Sequence, residues 1–401
     1  MRNIHFKKYG ILLVLILVSA CQKENPLNKI MADEDPKIKA IAGSIDAHNV
    51  QILYTTVSKD TQGRSQLKSW SYGLDENRYF YPASTAKFPI VLLTLEKLNA
   101  LQKQGVPITK DTPFHIINSK DMGYIAQRDS TKSDGLLTIG HLIKKIFLVS
   151  DNDAYNYLFD FLGTDYINAT LQEKGFNNTQ IHHKFLFGAD NQSTWEYVFF
   201  DDKDTLYHQA TILAKNELKN QGLKGLLAGV GYLEKGSLVE KPMDFSQKNS
   251  ISIRDLEGMV QRVILPEMFP THARFDLANE DYEFVRYWMS RNTLESTDPE
   301  YRTQDGYFDS YVKFLIFGDV PGQMDGKVRI YNKVGEAYGT LTDTAYIVSE
   351  AEDIAFFLTA TVFVNENQVF NDDQYEYETL GFPFLGALGR AVLALERSQK
   401  N

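Results

Sequence analysis

Ser84-Thr85-Ala86-Lys87 begins an apolar run, Phe88, Val91, Leu92, Leu95, Leu98 and Leu101, whose spacing of three and four residues is that of one helix face. The serine and the lysine then sit three apart at a helix start and share a side. An amine held beside a hydroxyl can take its proton once burial or nearby positive charge lowers the amine's pKa. The helix N-terminus adds positive potential that favours an alkoxide or oxyanion at Ser84. The run ends near Gly105 and Pro107, and Pro89, one turn in, predicts a slight bend. The same pattern recurs at Ser65-Gln66-Leu67-Lys68, but in a polar, strand-like stretch. There a period of two sends Ser65 and Lys68 to opposite faces.

Two further motifs follow in chain order. Ser150-Asp151-Asn152 lies between helical patterns at Thr138 to Leu148 and Asp153 to Phe161. Ser150 can cap the second helix or carry a proton between the lysine and a leaving nitrogen; Asn152 offers a donor and an acceptor to a substrate amide. Lys333-Val334-Gly335 ends a strand-like stretch that starts at Lys327. A strand end holds a cation and backbone N–H groups rigidly beside a nucleophile. Singly, each motif has a plain explanation: an N-cap and a solvated lysine, a helix cap, a strand ending in a turn. K-x-G also occurs at Lys8-Tyr9-Gly10 and Lys103-Gln104-Gly105. The weight lies in the order of the three motifs and in the elements that carry them.

Working outward, Pro36 to Asn49 reads as a helix, with Ile38, Ile41 and Ile45 at helical spacing. Gln51 to Val57 and Gln66 to Tyr72 read as strands about a Thr61-Gln62-Gly63 turn. Tyr166 to Lys174 is a further helix. Lys327 to Val334, Thr340 to Val348 and Ile354 to Val364 are strand-like, and Leu380 to Arg397 is the last helix. Strands and a helix at both ends with helices between predict an α/β (α+β) chain. Its antiparallel sheet is formed from both termini, at 36–80 and 325–401, with flanking helices and an inserted all-helical lobe over 81–324.

The chain has 401 residues, enough for a full core, and its 43% hydrophobic and 23% charged residues argue against disorder. A net charge of -10 argues against nucleic acid as a partner, because phosphate binding needs a basic surface. Arg2, Lys7 and Lys8 precede the apolar run Ile11 to Val18, a pattern like a signal peptide over 1–20 and too short to span a bilayer. Leu17-Val18-Ser19-Ala20-Cys21 resembles a bacterial lipobox, with Cys21 the lipidated residue. Cys21 is the only cysteine, so no disulfide forms within the chain. Residues 21–35 read as a polar tether. The expectation is a lipid-anchored domain, 36–401, in the bacterial cell envelope.

The ordered motifs resemble S-x-x-K, S-D-N and K-T-G, the set of class A β-lactamases and penicillin-binding proteins. The likeness runs roughly from Pro36 to Leu395. It implies Ser84 as the nucleophile that forms an acyl-enzyme and Lys87 as its base, directly or through water. It implies Ser150 as proton relay, Asn152 as holder of the substrate's amide side chain, and Lys333 as the group that attracts a substrate carboxylate. The oxyanion hole would be the N–H groups of Ser84 and Glu336, with Gly335 between strand and turn. Ser252 to Leu265 resembles the helix that starts the second half of the helical lobe. The implied activity is a serine hydrolase of β-lactamase type that opens β-lactams or related amides, in response to antibiotic, and needs no cofactor or metal. The alternatives are a penicillin-binding-protein-like D-Ala-D-Ala peptidase or amide/ester hydrolase with slow deacylation, acting on peptidoglycan-like substrates, and a catalytically silent binding lipoprotein.

Three departures stand out. Val334 replaces a hydroxyl residue, which keeps shape and loses a hydrogen bond. No Ω-loop glutamate is recognised after Ser150; Glu196, after Trp195, is the one tempting candidate for a deacylating base. The stretch from Ser150 to Lys333 is also long, with the excess over about 190–303, expected as decoration or lid. His182-His183 near Asp190 and Asn371-Asp372-Asp373 read as a surface loop and a solvated turn rather than metal sites.

Overall fold

The structure is a computed structural model and describes residues 24–118, 123–322, 324 and 326–400. The signal segment and Cys21 lie outside the described residues. Its centre is a five-stranded antiparallel sheet in the order Arg329–Ala337, Thr340–Ser349, Ile354–Phe363, Gln51–Lys59, Ser65–Tyr72. Both ends of the chain supply it, as the element order predicted. Alternation along each strand divides the side chains between two cores. Leu53 and Phe357 face the inserted lobe, while Ile52, Tyr54, Phe356 and Leu358 face the terminal helices Pro36–Ala42 and Phe382–Lys400. Tyr338 and Gly339, at φ 52° and 74°, form the two-residue hairpin between the first two strands. Two left-handed residues match the strands' own twist.

The stretch read as a tether is partly folded, which corrects that expectation. Pro26–Met31 is a helix capped by Asn25, whose Oδ1 accepts from Leu27 N at 3.1 Å. Leu27, Ile30 and Met31, at positions i, i+3 and i+4, are buried against the sheet's outer core. Asn25 Nδ2 also donates to Ser71 O at 2.8 Å. The three apolar residues are enough to dock one short helix.

The inserted lobe is not all helix. The helices Lys87–Lys103, Ile139–Val149, Asn152–Leu162, Thr164–Glu173, Ile253–Ile264 and Asn279–Ser290 are there. Beside them lies a four-stranded antiparallel sheet, ordered Tyr124–Ala126, Phe114–Ile117, Glu196–Phe200, Thr205–Gln209. Tyr197 and Phe199 alternate inward and pack on Phe114, with ring centroids 5.8 and 5.0 Å away. The long 190–303 stretch thus builds core rather than decoration: Leu256, Met259, Val260, Val285 and Met289 are all buried in the lobe.

Candidate active site

Residues 83–86 form a single 3-10 turn that runs into the Lys87–Lys103 helix. Ala83 is held at φ +46°, a costly conformation for alanine, which sets Ser84 on a sharp bend. Thr85 locks the bend, its N and Oγ1 both donating to Pro82 O, at 3.1 and 2.6 Å. The strand Arg329–Ala337 lies directly against this turn. A Cβ on Gly335 would stand 2.4 Å from Pro82 O, 3.0 Å from Thr85 N and 3.2 Å from Ser84 N. Only glycine allows that approach, and it brings the strand beside the Ser84 N–H.

Ser150 ends the Ile139–Val149 helix in the left-handed conformation, φ +58°. Asp151, not Ser150, caps the next helix, its Oδ1 accepting from Ala154 N at 2.8 Å. The bend turns Ser150 and Asn152 toward Lys87. The buried Lys87 Nζ donates to Ser150 O, to Ser150 Oγ at 3.3 Å and to Asn152 Oδ1 at 2.7 Å. From the other side Lys333 Nζ donates to Ser150 Oγ at 2.8 Å and to its neighbour's carbonyl, Val334 O, at 2.9 Å. One hydroxyl therefore bridges two buried amines. Burial pulls Lys87 down to about 7 against the raising field of Asp151. Burial, then the charge of Lys87, pulls Lys333 well below the usual lysine range, with Asp343 opposing. Ser84, Lys87, Ser150, Asn152, Lys333 and Gly335 converge from one helix start, one interhelical bend and one strand.

Surroundings invisible to local motifs hold this arrangement. Lys145 Nζ lies 3.0 Å from Asp129 Oδ2 and 3.4 Å from Asp151 Oδ2, bracing the bend. Burial would lower Lys145, but the carboxylates outweigh it and raise its pKa. Beneath Lys333, Lys313 Nζ donates to Met289 O, Ile330 O and Asn332 Oδ1 at 2.8, 2.9 and 2.7 Å. Asn332 Nδ2 donates on to Asp343 Oδ1 at 2.8 Å. An ionisable residue inside a stretch with no other charge, as at Tyr311-Val312-Lys313-Phe314-Leu315 and Leu341-Thr342-Asp343-Thr344-Ala345, was the available signal.

The candidate deacylating base is not here. Glu196 lies on the smaller sheet, where its Oε2 meets His208 Nε2 at 2.9 Å. Over Lys87 stands an aromatic ring instead: Phe185, 5.3 Å from Nζ to centroid and stacked on Tyr155 at 4.5 Å. Among the described residues no carboxylate pairs with Lys87 or Lys333. His182-His183 is no surface loop: both rings are largely buried. His182 Nε2 meets Asn220 Oδ1 at 3.1 Å, and His183 Nδ1 meets Lys184 O at 2.9 Å. No cluster able to hold a metal occurs among the described residues. Asn371-Asp372-Asp373 is a turn, with Asn371 and Asp373 at φ 62° and 56°.

Comparison with known proteins bears on the fold. A β-lactamase from Xanthomonas campestris pv. campestris str. ATCC 33913 aligns over 90% of this chain and 95% of its own, with TM-score 0.50 and 15% identity. One from Sphaerobacter thermophilus DSM 20745 covers 89% and 94%, with TM-score 0.49 and 15% identity. Identity this low speaks to the fold alone. No curated protein matches the sequence significantly. The model of the beta-lactamase enzyme family matches residues 36–266, more than half of the chain and the part that carries Ser84, Lys87 and the Ser150–Asn152 bend. The chain belongs to that family, within the β-lactamase and penicillin-binding-protein-like superfamily of serine hydrolases.

Proposed function

We propose that the protein forms an acyl-enzyme on Ser84 from a β-lactam or a D-Ala-D-Ala-like peptide and deacylates slowly. The observation that carries this reading is the Ser150 hydroxyl bridging Lys87 and Lys333. Ser84 Oγ attacks the amide carbonyl as neutral Lys87 takes its proton. The oxyanion forms at the N–H groups of Ser84 and Glu336, donors each worth about 2.7–4 kcal/mol. As the C–N bond breaks, Ser150 passes a proton to the leaving nitrogen and is reprotonated from Lys87. Asn152 holds the substrate amide. A substrate carboxylate near Lys333 favours its charged form; Val334 adds no hydroxyl there.

Phe185 supports the slow second step. Water attacking the acyl-enzyme needs a positioned base, worth roughly 10²–10⁴ in rate, and the group over Lys87 is a benzyl ring. A fast β-lactamase is the competing reading. Benzylpenicillin incubated with the protein separates the two. The expected result is a persistent mass gain with little drug loss. Multiple turnovers of drug without a lasting adduct would favour the β-lactamase, and neither mass gain nor loss would refute both. Lys333→Ala should slow carboxylate-bearing substrates more than neutral esters, and equal loss would count against its role.

We further propose attachment to the bacterial envelope through a lipid on Cys21. Asn25 is already bonded to the sheet lobe, so four residues, about 14 Å at most, would separate the domain from the membrane surface. Cys21→Ser should release the protein from the membrane fraction; unchanged partitioning would contradict the anchor.

A further inference from the structure

We infer that an aromatic cleft of about 600 Å³ behind the Ser84 turn is a second ligand site, for a small aromatic molecule that carries a hydrogen-bond donor. Its volume is that of a small-molecule pocket. Ser84, Lys87, Ser150, Asn152 and Lys333 do not line it. It nonetheless abuts both elements of the site: Tyr81 precedes Ser84 by three residues, and Tyr338 follows Gly335 by three.

The walls are rings braced against one another. Tyr81 meets Tyr338 edge-on at 4.9 Å and Phe245 at 6.2 Å, and Phe245 meets Phe370 edge-on at 5.2 Å. Such walls take a planar ring at little cost in ordering. One wall, containing Lys224, Ala228 and Phe245, comes from the long 190–303 stretch, which gives that stretch a use beyond core building.

One polar group at the cleft lacks a partner. Tyr81 is 6% exposed, and its hydroxyl makes no hydrogen bond among the described residues. A hydroxyl left free beside a cleft can accept from a donor on a bound molecule. The rim adds no net charge: Arg78 pairs with Asp46 at 3.2 Å and Lys224 with Asp75 at 3.1 Å. A neutral aromatic amide fits this chemistry.

Acetanilide, a phenyl ring bearing one amide N–H, is the probe, titrated into the protein by calorimetry and ligand-observed NMR. Saturable binding is expected. Ala228→Trp should weaken it by about tenfold or more, a change of roughly 1.4 kcal/mol, by filling the cleft. Ala47→Trp, on the exposed opposite wall, should do the same if Ala228→Trp fails to fold. Tyr81→Phe should weaken binding severalfold, and Ser84→Ala and Lys333→Ala should leave it unchanged. Absence of saturable binding, or binding that survives both tryptophans, would mean a water-filled void and overturn the inference. Loss of binding in Ser84→Ala would place the probe in the acylation cleft and overturn it equally.

Discussion

Gly335→Ala perturbs the contact between the strand and the nucleophile turn. The added methyl would stand 2.4 Å from Pro82 O. A carbon against a carbonyl oxygen settles at about 3.3 Å or more, so the strand must retreat by roughly 1 Å. The Glu336 N–H and Lys333 move with it, because both belong to that strand. A misplacement of this size costs about 10²-fold, and a lost oxyanion donor costs 10²–10³-fold. The acylation rate with benzylpenicillin, followed by intact mass against time, should fall about 100-fold or more. Stability should fall by about 1–3 kcal/mol, the usual cost of overpacking, so the variant should remain folded at assay temperature. A folded Gly335→Ala that acylates within about threefold of the parent would refute the reasoning, since the close approach would then be irrelevant to the chemistry.

The other predictions concern charge. Lys87 must be neutral to act as base and its pKa is pulled down to about 7, so the acylation rate should rise through a midpoint near pH 7; a rate still climbing at pH 9 would contradict this. Lys145→Met exposes Lys87 to an uncompensated Asp151 and should move that midpoint upward; an unchanged pH profile would show that Lys145 has no such influence. Glu257 is fully buried, and burial raises its carboxyl to about 8. A raised acid contributes stability that is complete below its unfolded pKa and is lost as pH rises toward 8, with a slope of up to ~1.4 kcal/mol per pH unit. Urea unfolding at pH 5 and pH 8 should show that loss, and Glu257→Gln should remove it. Lys313→Met strips the partner from the buried Asn332–Asp343 chain and should cost about 3–5 kcal/mol; a loss below about 1 kcal/mol by the same unfolding assay would argue that the network carries little.

What the sequence made legible was local. Ser84 and Lys87 declare themselves because a helix stripe and a three-residue spacing need no partner to be read, and the same logic rejected Ser65 and Lys68. The terminal sheet was legible because its strands run eight to ten residues with a steady burial pattern. The smaller sheet was not: its strands are three to five residues long and pair across up to 85 positions, as Phe114 does with Phe199. Phe185 over Lys87 joins distant segments, and the Lys145 brace and the Lys313–Asn332–Asp343 chain cross a bend and a hairpin, which no spacing rule reports. The docked Pro26–Met31 helix was hidden by its polar neighbours, although Leu27, Ile30 and Met31 were the visible clue.

The central claim is that Ser84 becomes acylated. Peptide mapping by mass spectrometry after exposure to benzylpenicillin tests it directly. The account predicts one adduct, carrying the full mass of the drug, on the peptide that contains Ser84, and no adduct in Ser84→Ala. An adduct on another residue, or one that persists in Ser84→Ala, would contradict it.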